Sequence, residues 1–268
     1  MTGDDRRFLG ALAVLGGAYV LLIVAMFAAD LFYTSPGQLL QALSSPEIRF
    51  SIMLTLVTSV LSALLSILVA IPLGYLLART EFHGKKLLNA ILDVPVVLPP
   101  LVVGLSLLIL FQTAPGKWFE RHLFQVTFAV PSVVLAQFSV AAAFAIRVLQ
   151  TSFIQMSPRT EQVALTLGCT RAQAFFRVVL PEARRALLAA FAIAWARSLG
   201  EFGPVLVFSG ATRMKTEVLS TTVNLELNIG RLEAAVAVSI LMIVIAVVVL
   251  ILLQLLGKAD AIDQTVRR

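Results

Sequence analysis

Residues 157–181 of this chain read SPRTEQVALTLGCTRAQAFFRVVLP, the longest block that mixes polar and apolar residues in an otherwise very apolar sequence. Ser157 followed by Pro158 is typical of a helix N-cap with proline in the first helical position. Gly168 predicts the end of that helix, because glycine adopts left-handed backbone angles at little cost. The first half of the block therefore predicts a short helix that stops at Gly168.

The second half of the block predicts another short helix. Thr170 and Gln173 have the spacing of a capping box, which starts a helix. Leu180 precedes Pro181, and a residue before proline is pushed away from helical angles, so we expect the helix to end there. Helices this short are marginally stable alone, so the L-shaped protrusion that they form must rest on the rest of the chain or on a partner. Its apolar residues fall on two faces, with Val163 and Leu167 on one and Phe175, Phe176 and Val179 on the other.

The composition is that of an integral membrane protein. Only 13% of the 268 residues are charged and 59% are hydrophobic, whereas soluble domains carry about 25% charged residues. The mean hydropathy is +0.94. The net charge of +6 does not indicate a nucleic-acid partner, because no basic cluster is interleaved with aromatic residues. Cys169 is the single cysteine, which excludes an internal disulfide and a cysteine-based metal site.

Six apolar segments are long enough to cross a bilayer, which takes about 20 residues. They comprise residues 8–29, 50–78, 87–111, 123–146, 186–210 and 234–257. We expect an all-α integral membrane protein with a first helix and outer connector in residues 1–49, a core in residues 50–257 and a polar tail in residues 258–268. Between the segments we expect a turn at Ser35-Pro36-Gly37, a short loop at residues 117–122 and a polar loop at residues 211–233.

The distribution of Lys and Arg predicts the orientation, since cytoplasmic segments carry an excess of these residues. With the N-terminus inside, thirteen of the 21 Lys and Arg residues lie in inner segments and six lie in outer loops. We therefore expect a multi-pass chain in the cell membrane with both termini in the cytoplasm. The same orientation places residues 157–181 on the cytoplasmic side.

Prolines and glycines interrupt two of the apolar segments. Pro99 and Pro100 remove backbone donors in the middle of the third segment. Such a break is tolerated in a membrane only where the backbone is buried or lines a cavity. Pro72 and Gly74, near the end of the second segment, predict a kink in the helix or its exit from the membrane.

The fifth segment contains ARSLGEFGP at residues 196–204, in which Arg197 and Glu201 are four residues apart. Ionisable residues inside a span are expensive and indicate a functional site by default. Two interpretations are open. The pair is a structural ion pair along one helix face, or Gly200 and Gly203 loosen the helix and offer backbone donors to an anion. The hypothetical translocation pathway comprises Pro99, Pro100, Arg197, Ser198, Gly200, Glu201 and Gly203.

The sequence lacks the motifs of an enzyme. It contains no G-x-x-x-x-G-K-[ST] phosphate-binding loop, so ATP hydrolysis is not expected of this chain. It also contains no Ser/His/Asp set and no cluster of His and Cys for nucleophilic catalysis or metal binding. We therefore expect no catalytic residues, no metal and no cofactor.

Residues 157–181 resemble the cytoplasmic EAA coupling loop of ABC-importer permeases. The family pattern is Glu-Ala-Ala, three residues, Gly, and then an apolar-x-Leu-Pro ending. The matching residues are Glu161, Gln162, Val163, Ala164, Gly168, Val178, Leu180 and Pro181. Aligned from Gly168, the family's glutamate position falls on Gln162, with Glu161 one residue earlier. Which of the two makes the acidic-position contact is left open by the sequence.

Three further motifs resemble the oxyanion branch of this family, which transports molybdate, tungstate and sulfate. They are ARSLGEFG at residues 196–203, PLGYLLAR at residues 72–79 and LPPLVVG at residues 98–104. The resemblance implies the fold of a type I ABC importer permease, with six transmembrane helices and a cytoplasmic coupling-helix loop. It implies inward transport of a tetrahedral oxyanion, with molybdate or tungstate favoured and sulfate or thiosulfate as the alternative.

The resemblance also implies partners. Two permease subunits in the lipid bilayer, expected as a homodimer, form one pathway, two ABC ATPase subunits dock under the coupling loops, and an extracytoplasmic oxyanion-binding protein delivers the substrate. Phe175 and Phe176 would fill the cleft of the ATPase, with Glu161 and Arg171 at its polar rim. The coupling residues so implied are Glu161, Gln162, Ala164, Gly168, Arg171, Phe175, Phe176, Leu180 and Pro181.

Other functions compete with this interpretation. Without the resemblance, the protrusion is a plain interfacial helix pair that links two membrane helices. A secondary transporter or channel acting alone would carry inverted repeats and more ionisable groups inside the membrane, where only Asp93, Arg197 and Glu201 occur. A membrane scaffold is also open, and a membrane enzyme is disfavoured by the missing catalytic set. Co-purification with an ATPase separates the importer subunit from all of these.

Overall fold

The computed structural model describes the backbone of residues 3–266 and the side chains of residues 5, 9, 10 and 12–251. Every regular element within that backbone is helical. In chain order the α-helices are α1 Gly3–Tyr33, α2 Pro36–Ser44, α3 Pro46–Arg79, α4 Lys85–Val97, α5 Pro100–Gln112, α6 Ala114–His122, α7 Val130–Gln155, α8 Pro158–Thr166, α9 Arg171–Ala174, α10 Leu180–Glu182, α11 Arg184–Leu199, α12 Gly203–Ser209, α13 Leu219–Asn228 and α14 Leu232–Val266. A π-helical turn, Phe175–Val179, lies between α9 and α10. The side chains of the predicted tail, residues 258–268, lie outside the described residues.

Four helices are long and apolar enough to cross a membrane without interruption, and they lie within α1, α3, α7 and α14. Two bent helix pairs are also apolar enough together to be broken spans or re-entrant segments, since α4 meets α5 at 112° and α11 meets α12 at 60°. The described residues therefore hold six spans when each broken pair is taken as one, in line with the six predicted segments. At 13 residues each, α4 and α5 are about 20 Å long. Neither crosses a hydrocarbon layer of about 30 Å alone.

The core of the molecule is the contact between α3 and α7, which is built from small residues. Ser62 of α3 donates to the Val134 carbonyl of α7 at 2.9 Å. A β-carbon at Gly74 would lie 3.1 Å from the Leu149 β-carbon, so the two backbones approach closely there. Small side chains allow such an approach in a membrane, where no hydrophobic effect drives helices together. With α11, these helices enclose a buried cluster that includes Ala63, Ala70, Leu77, Ala141, Ala145, Leu149, Phe153, Ala190 and Ala194.

The buried hydroxyl groups of α3 are satisfied within the protein. Thr55 donates to the Ser51 carbonyl at 2.6 Å, and Ser66 donates to the Ser62 carbonyl at 2.7 Å. These bonds matter because lipid offers no partner for a polar group. A face rich in serine and threonine can therefore be buried inside the membrane domain.

Pro72 lies inside α3, which continues to Arg79. The helix therefore continues past both Pro72 and Gly74. A single proline removes one backbone hydrogen bond. The last two turns are nevertheless held in place, because Gly74 and Leu77 are buried against α7.

The outer connector between α1 and α3 contains a helix rather than the predicted turn at Ser35-Pro36-Gly37. The Ser35 hydroxyl accepts from the Gln38 N–H at 3.3 Å, and the Gln38 side chain accepts from the Ser35 N–H at 2.9 Å. Pro36 occupies the first helical position of α2. The same serine-proline signal that starts α8 therefore starts a helix here as well.

The fourth span starts later than the predicted residue 123. Residues 114–122, part of which was expected to be a loop, form α6, and α7 begins at Val130, where Pro131 lies in the first turn. Glu120 holds the intervening loop, because its carboxylate accepts from the Thr127 N–H at 2.6 Å and from the Thr127 hydroxyl at 2.7 Å. Burial alone would raise the pKa of Glu120. These hydrogen bonds, together with one from the Val126 N–H, outweigh that effect and hold the pKa below its ordinary value.

Residues 211–233 do not form the predicted polar loop throughout. Their middle part is α13, which folds back on the start of α3. The Leu219 N–H donates to the Thr55 hydroxyl at 2.9 Å, and the Thr222 hydroxyl lies 3.1 Å from the Ser51 hydroxyl. The polar face of α3 therefore supplies the partners that let this segment be buried.

Candidate functional site

The first half of the 157–181 protrusion folds as its sequence predicts. Ser157 caps α8, with its hydroxyl accepting from the Arg159 N–H at 3.3 Å. Gly168 has φ of 90°, a left-handed angle that disfavours other residues. The Gly168 N–H donates to the Leu165 carbonyl at 3.0 Å and the Cys169 N–H to the Ala164 carbonyl at 3.1 Å. This pair of bonds is a Schellman motif, which satisfies the last carbonyls of α8.

The second half starts as predicted and ends differently. Thr170 and Gln173 form the capping box of α9, with bonds of 3.2 Å and 2.9 Å. The helix then widens into the π-helical turn, in which the Leu180 N–H donates to the Phe175 carbonyl. The predicted end at Leu180-Pro181 is wrong, because α10 runs through Pro181 and only Ala183 separates it from α11. The wider turn explains this, since it removes the clash that proline has with the preceding α-helical turn.

The apolar residues of the protrusion divide between two sides. Val163, Leu167 and Phe176 point outward, with 56%, 80% and 65% of their surfaces exposed. Val179 is buried, and the Phe175 ring packs against Tyr75 of α3 with ring centroids 4.7 Å apart. Phe175 is thus partly buried while Phe176 is exposed, although the two rings still contact each other with centroids 5.1 Å apart.

Glu161 and Gln162 differ in their exposure to solvent. The Tyr75 hydroxyl donates to the Glu161 carboxylate at 2.5 Å, and the Arg79 Nε lies 3.8 Å from its other oxygen. The Glu161 side chain is 12% exposed, whereas Gln162 and Arg171 are exposed. The placement of Glu161 at an outer polar rim is therefore wrong. Gln162 is the more exposed of the two neighbouring residues.

The two broken spans meet at their breaks. A β-carbon at Gly203 would lie 2.9 Å from the Leu101 nitrogen and 3.0 Å from the Pro100 β-carbon. A β-carbon at Gly104 would lie 2.6 Å from the Pro204 α-carbon. The structure thus brings Pro100 and Gly203, predicted as parts of two separate interruptions, into backbone contact. Pro99 and Gly200 lie beside this contact and are exposed.

Arg197 and Glu201 form an ion pair across the second break. Their charged groups are 2.8 Å apart, and Glu201 is 1% exposed. The Arg197 guanidinium also lies over the Phe144 ring, 5.8 Å from its centroid. The arginine is thus held on two sides, as the ion-pair interpretation predicts. Ser198, the remaining predicted pathway residue, is buried in the last turn of α11.

One polar cluster was missed by the sequence analysis. The Arg147 guanidinium of α7 makes two bonds to the Asp93 carboxylate of α4, at 2.6 Å and 2.5 Å. It also donates to Asn89 at 2.7 Å and to Gln150 at 2.6 Å. This cluster fixes α4 beside α7 and neutralises the charge of Asp93. Two opposite charges in neighbouring spans were the available signal, but spacing alone does not show that they pair.

Cavities lie at both ends of α3. A cavity of about 780 Å³ lies between the end of α3 and the protrusion, and its lining includes Leu68, Pro72, Leu76, Arg79, Leu165 and Phe176. A cavity of about 650 Å³ lies at the start of α3, and its lining includes Gln38, Glu47, Arg213, Glu226 and Glu233. The protrusion and α13 therefore occupy opposite ends of the molecule.

The loop beside the second cavity contains a buried glutamate that the sequence analysis did not single out. Glu217 has no exposed surface. Burial raises its pKa above the ordinary value and outweighs the opposing effects of Thr222 and Arg213. Arg213 forms a salt bridge with Glu226 of α13. Among the described residues no group of three or more His, Cys, Asp or Glu side chains is arranged to hold a metal ion.

Comparisons with known proteins agree with this geometry. The sequence profile of the family described as "Binding-protein-dependent transport system inner membrane component" matches residues 70–259. The chain is 32% identical over 222 residues to the sulfate transport system permease protein CysT of Escherichia coli, covering 82% of this chain and 80% of that protein. It is 31% identical over 194 residues to the molybdate/tungstate transport system permease protein WtpB of Pyrococcus abyssi, covering 71% and 74%.

A solved structure has the same fold. It is the crystal structure of a bacterial alginate ABC transporter in complex with a periplasmic protein bound to an alginate pentasaccharide. The TM-score is 0.76, with 19% identity and 96% of each chain covered. The all-α membrane fold predicted from the sequence is confirmed by this likeness.

Proposed function

Because this chain belongs to the family of binding-protein-dependent transport system inner membrane components, we propose that it carries a tetrahedral oxyanion inward as the permease subunit of an ATP-driven importer. The resemblance found in the sequence is confirmed, and the chain is a transport subunit rather than an enzyme. It lies in the inner membrane, ATP is hydrolysed by separate ATPase subunits, and a binding protein delivers the substrate.

The observation that carries the proposal is the coupling patch, which we define as Gln162, Val163, Leu167 and Phe176. Its three apolar side chains are each more than half exposed on a polar protrusion. Exposed apolar groups on a polar protrusion of this kind mark a protein-binding surface. We assign the patch to the ATPase, with Gln162 and Arg171 as its polar contacts. Ala164, Gly168, Leu180 and Pro181 shape the protrusion.

The protrusion is well placed to transmit movement into the membrane. Only Ala183 separates α10 from α11, and α11 leads directly to the break that holds Arg197 and Glu201. Closure of the ATPase dimer would bring two protrusions together and rotate α11 as a rigid body. The contact between the two breaks, at Gly104 and Gly203, would then shift as a unit.

The translocation pathway is proposed to pass the two breaks. Broken helices offer backbone groups to a solute only where they line a cavity. Because Arg197 is paired with Glu201, the pathway presents no free arginine at this point. A passing dianion would be held weakly, which suits a site that must release it.

The substrate class is proposed from the relatives. Molybdate, tungstate and sulfate are tetrahedral dianions of the same charge, and we favour molybdate or tungstate. Sulfate stays the second candidate. It is kept because the sulfate relative matches a larger share of the chain than the molybdate/tungstate relative does. Uptake of labelled molybdate, competed with unlabelled tungstate or sulfate, distinguishes the two candidates.

The assembly and domain scheme follow from the same premise. We propose a homodimer of permease subunits as an inference from the favoured substrate. We propose that both termini lie in the cytoplasm, because Lys and Arg are concentrated in the predicted inner segments. Residues 1–49 comprise the N-terminal transmembrane helix and the outer connector, residues 50–257 the permease core with the coupling loop, and residues 258–268 the cytoplasmic tail. The protrusion then faces the cytoplasm and α13 faces the binding protein.

The test is co-purification of an ATPase. The tagged chain is extracted from membranes of its source cells with mild detergent, and the eluate is assayed for a stoichiometric ATPase and for ATP hydrolysis stimulated by the binding protein. We expect both. A chain that transports an oxyanion in liposomes without any ATPase would overturn the proposal and favour a secondary transporter.

A further inference from the structure

Three polar side chains join the protrusion to the end of α3. Tyr75 and Arg79 lie one turn apart on α3, and both approach the Glu161 carboxylate of α8. Arg79 also donates to the Met156 carbonyl at 3.1 Å, at the junction between α7 and α8. The charged groups are largely withdrawn from water, since the Arg79 and Glu161 side chains are 14% and 12% exposed. The three contacts therefore connect α3, α7 and α8 at one point.

A second side-chain attachment of α8 is a longer hydrogen bond from the Thr160 hydroxyl to Glu182 of α10, at 3.3 Å. Of its nine residues only Ala164 is buried, and the space between α8 and α3 is part of the cavity of about 780 Å³. Apolar packing is thus sparse under this helix. A charge-assisted hydrogen bond is about twice as strong as a neutral one, so Glu161 supplies a main attachment of α8 to the membrane domain.

Tyr75 is the residue through which this attachment reaches the core. Its hydroxyl contacts Glu161 of α8, while its ring packs edge-on against Phe175, in the π-helical turn, and Phe153 of α7, at centroid distances of 4.7 Å and 5.8 Å. Phe153 is fully buried. A displacement of α8 is therefore passed to a ring that is enclosed by α3, α7 and the π-helical turn.

We propose that Tyr75, Arg79 and Glu161 form a latch, a set of positioning residues that transmits movement of the protrusion to α3. The inference rests on the proposed coupling function and adds a second route beside the direct link from α10 to α11. The latch explains why the Glu161 side chain is largely withdrawn from solvent while the neighbouring Gln162 is exposed. Through the 34 residues of α3, about 51 Å long, movement at the protrusion reaches the cavity beside Arg213 and Glu226.

The latch can be tested without transport, because the chain carries one cysteine in the protrusion. Cys169 is partly exposed and bonded to α8 through the Ala164 carbonyl. The rate at which a maleimide labels Cys169 is measured in the purified full chain for Glu161→Gln and Tyr75→Phe. We expect the rate to rise about fivefold or more, because α8 loses its attachment to α3. Rates equal to the wild type in both variants would overturn the latch.

The matched control is Glu182→Gln, the same chemical change on the same protrusion. Glu182 contacts Thr160 at 3.3 Å and is exposed. We expect its labelling rate to stay at the wild-type value. A rise as large as that of Glu161→Gln would overturn the latch by showing that any lost carboxylate loosens the protrusion.

The second experiment uses the complete importer in liposomes. In Glu161→Gln and Tyr75→Phe we expect the ATPase to be retained while uptake per ATP hydrolysed falls about tenfold, with recovery when Arg79→Glu is combined with Glu161→Arg. Loss of ATPase retention in proportion to uptake would instead make Glu161 a docking residue and overturn the latch. A wild-type chain that binds no ATPase would overturn the proposed function. The latch is tested independently of that outcome by the rate of Cys169 labelling in the purified chain.

Discussion

At the residue scale, the meeting of the two broken spans depends on missing side chains. Gly104 lies against the Pro204 backbone, and Gly203 lies against Pro100 and Leu101. Backbone atoms cannot move aside as a flexible side chain can, so a methyl group at Gly104 or Gly203 must displace a helix. The prolines break the helices, and the glycines then let the two breaks touch.

We predict that Gly104→Ala lowers stability by about 1–3 kcal/mol, because overpacking of a close contact has that effect. Its new β-carbon would lie 2.6 Å from the Pro204 α-carbon. Thermal unfolding in detergent measures the loss, and uptake in liposomes should fall with it.

The control for that prediction is Gly200→Ala, which lies in the second break, at the end of α11. A β-carbon there meets nothing within 4 Å, and the φ of −89° is accessible to alanine. The unfolding temperature of this variant should stay near the wild-type value. Equal losses for both alanine variants would show that the close approach at Gly104 is not the cause.

At the element scale, the two short helices of the protrusion are stabilised by capping residues at their ends rather than by apolar packing. Ser157 caps α8, Gly168 ends it, and Thr170 caps α9. These local signals replace the apolar burial that two such short helices lack. The shape of the coupling patch therefore depends on Gly168, which sets the angle between the helices.

We predict that Gly168→Val abolishes coupling. A β-branched residue at φ of 90° costs about 1–3 kcal/mol, and the chain relieves this strain by moving Leu167 and Phe176 relative to each other. ATPase co-purification and uptake should both fall about tenfold or more. Wild-type values for both would refute the coupling role of the protrusion.

Gly84→Val is the matched control for the protrusion. Gly84 has φ of 91°, and a β-carbon there also meets nothing within 4 Å. The strain is therefore the same, but it falls in the turn before α4. We expect a similar drop in unfolding temperature with the ATPase still bound, which separates lost coupling from lost stability.

At the scale of the whole molecule, α3 connects two functional ends. Its last turns carry Tyr75 and Arg79, which contact the protrusion. Its first turns carry Ser51 and Thr55, which contact α13. The central part is buried against α7 through small residues, so the helix is guided along its length. This arrangement places the proposed ATPase and binding-protein sides at opposite ends of one rigid element.

We predict that Cys169 is labelled by a membrane-impermeant maleimide in inside-out vesicles and stays unlabelled in right-side-out vesicles. The reason is the excess of Lys and Arg in the predicted inner segments. As a control, Lys117→Cys in a Cys169→Ser background should show the opposite pattern, since Lys117 is exposed in α6. Labelling of Cys169 from the outside would contradict the orientation and the coupling mechanism together.

Local signals in the sequence were reliable where one or two residues control the backbone. The caps of α8 and α9, the left-handed Gly168 and the helix break at Pro99-Pro100 are all present as predicted. Predictions failed where an unusual helical turn or distant packing intervened. The helix continues through Pro181 because a π-helical turn accommodates it, and α13 is helical and buried because α3 offers it hydroxyl partners.

The sequence by itself determined the membrane class, the six apolar segments, the caps of the protrusion and the resemblance to a permease family, because these depend on composition and on neighbours a few residues apart. Only the tertiary structure decided that Glu161 turns inward to Tyr75, that Arg147 holds Asp93, and that Gly104 and Gly203 join the two broken spans. Those contacts connect residues 54 to 103 positions apart in the chain, and their formation depends on how α3, α7 and α11 pack in three dimensions. No local pattern predicts contacts between residues so far apart in the chain, since helix spacing shows which face a residue occupies but not which helix lies opposite it.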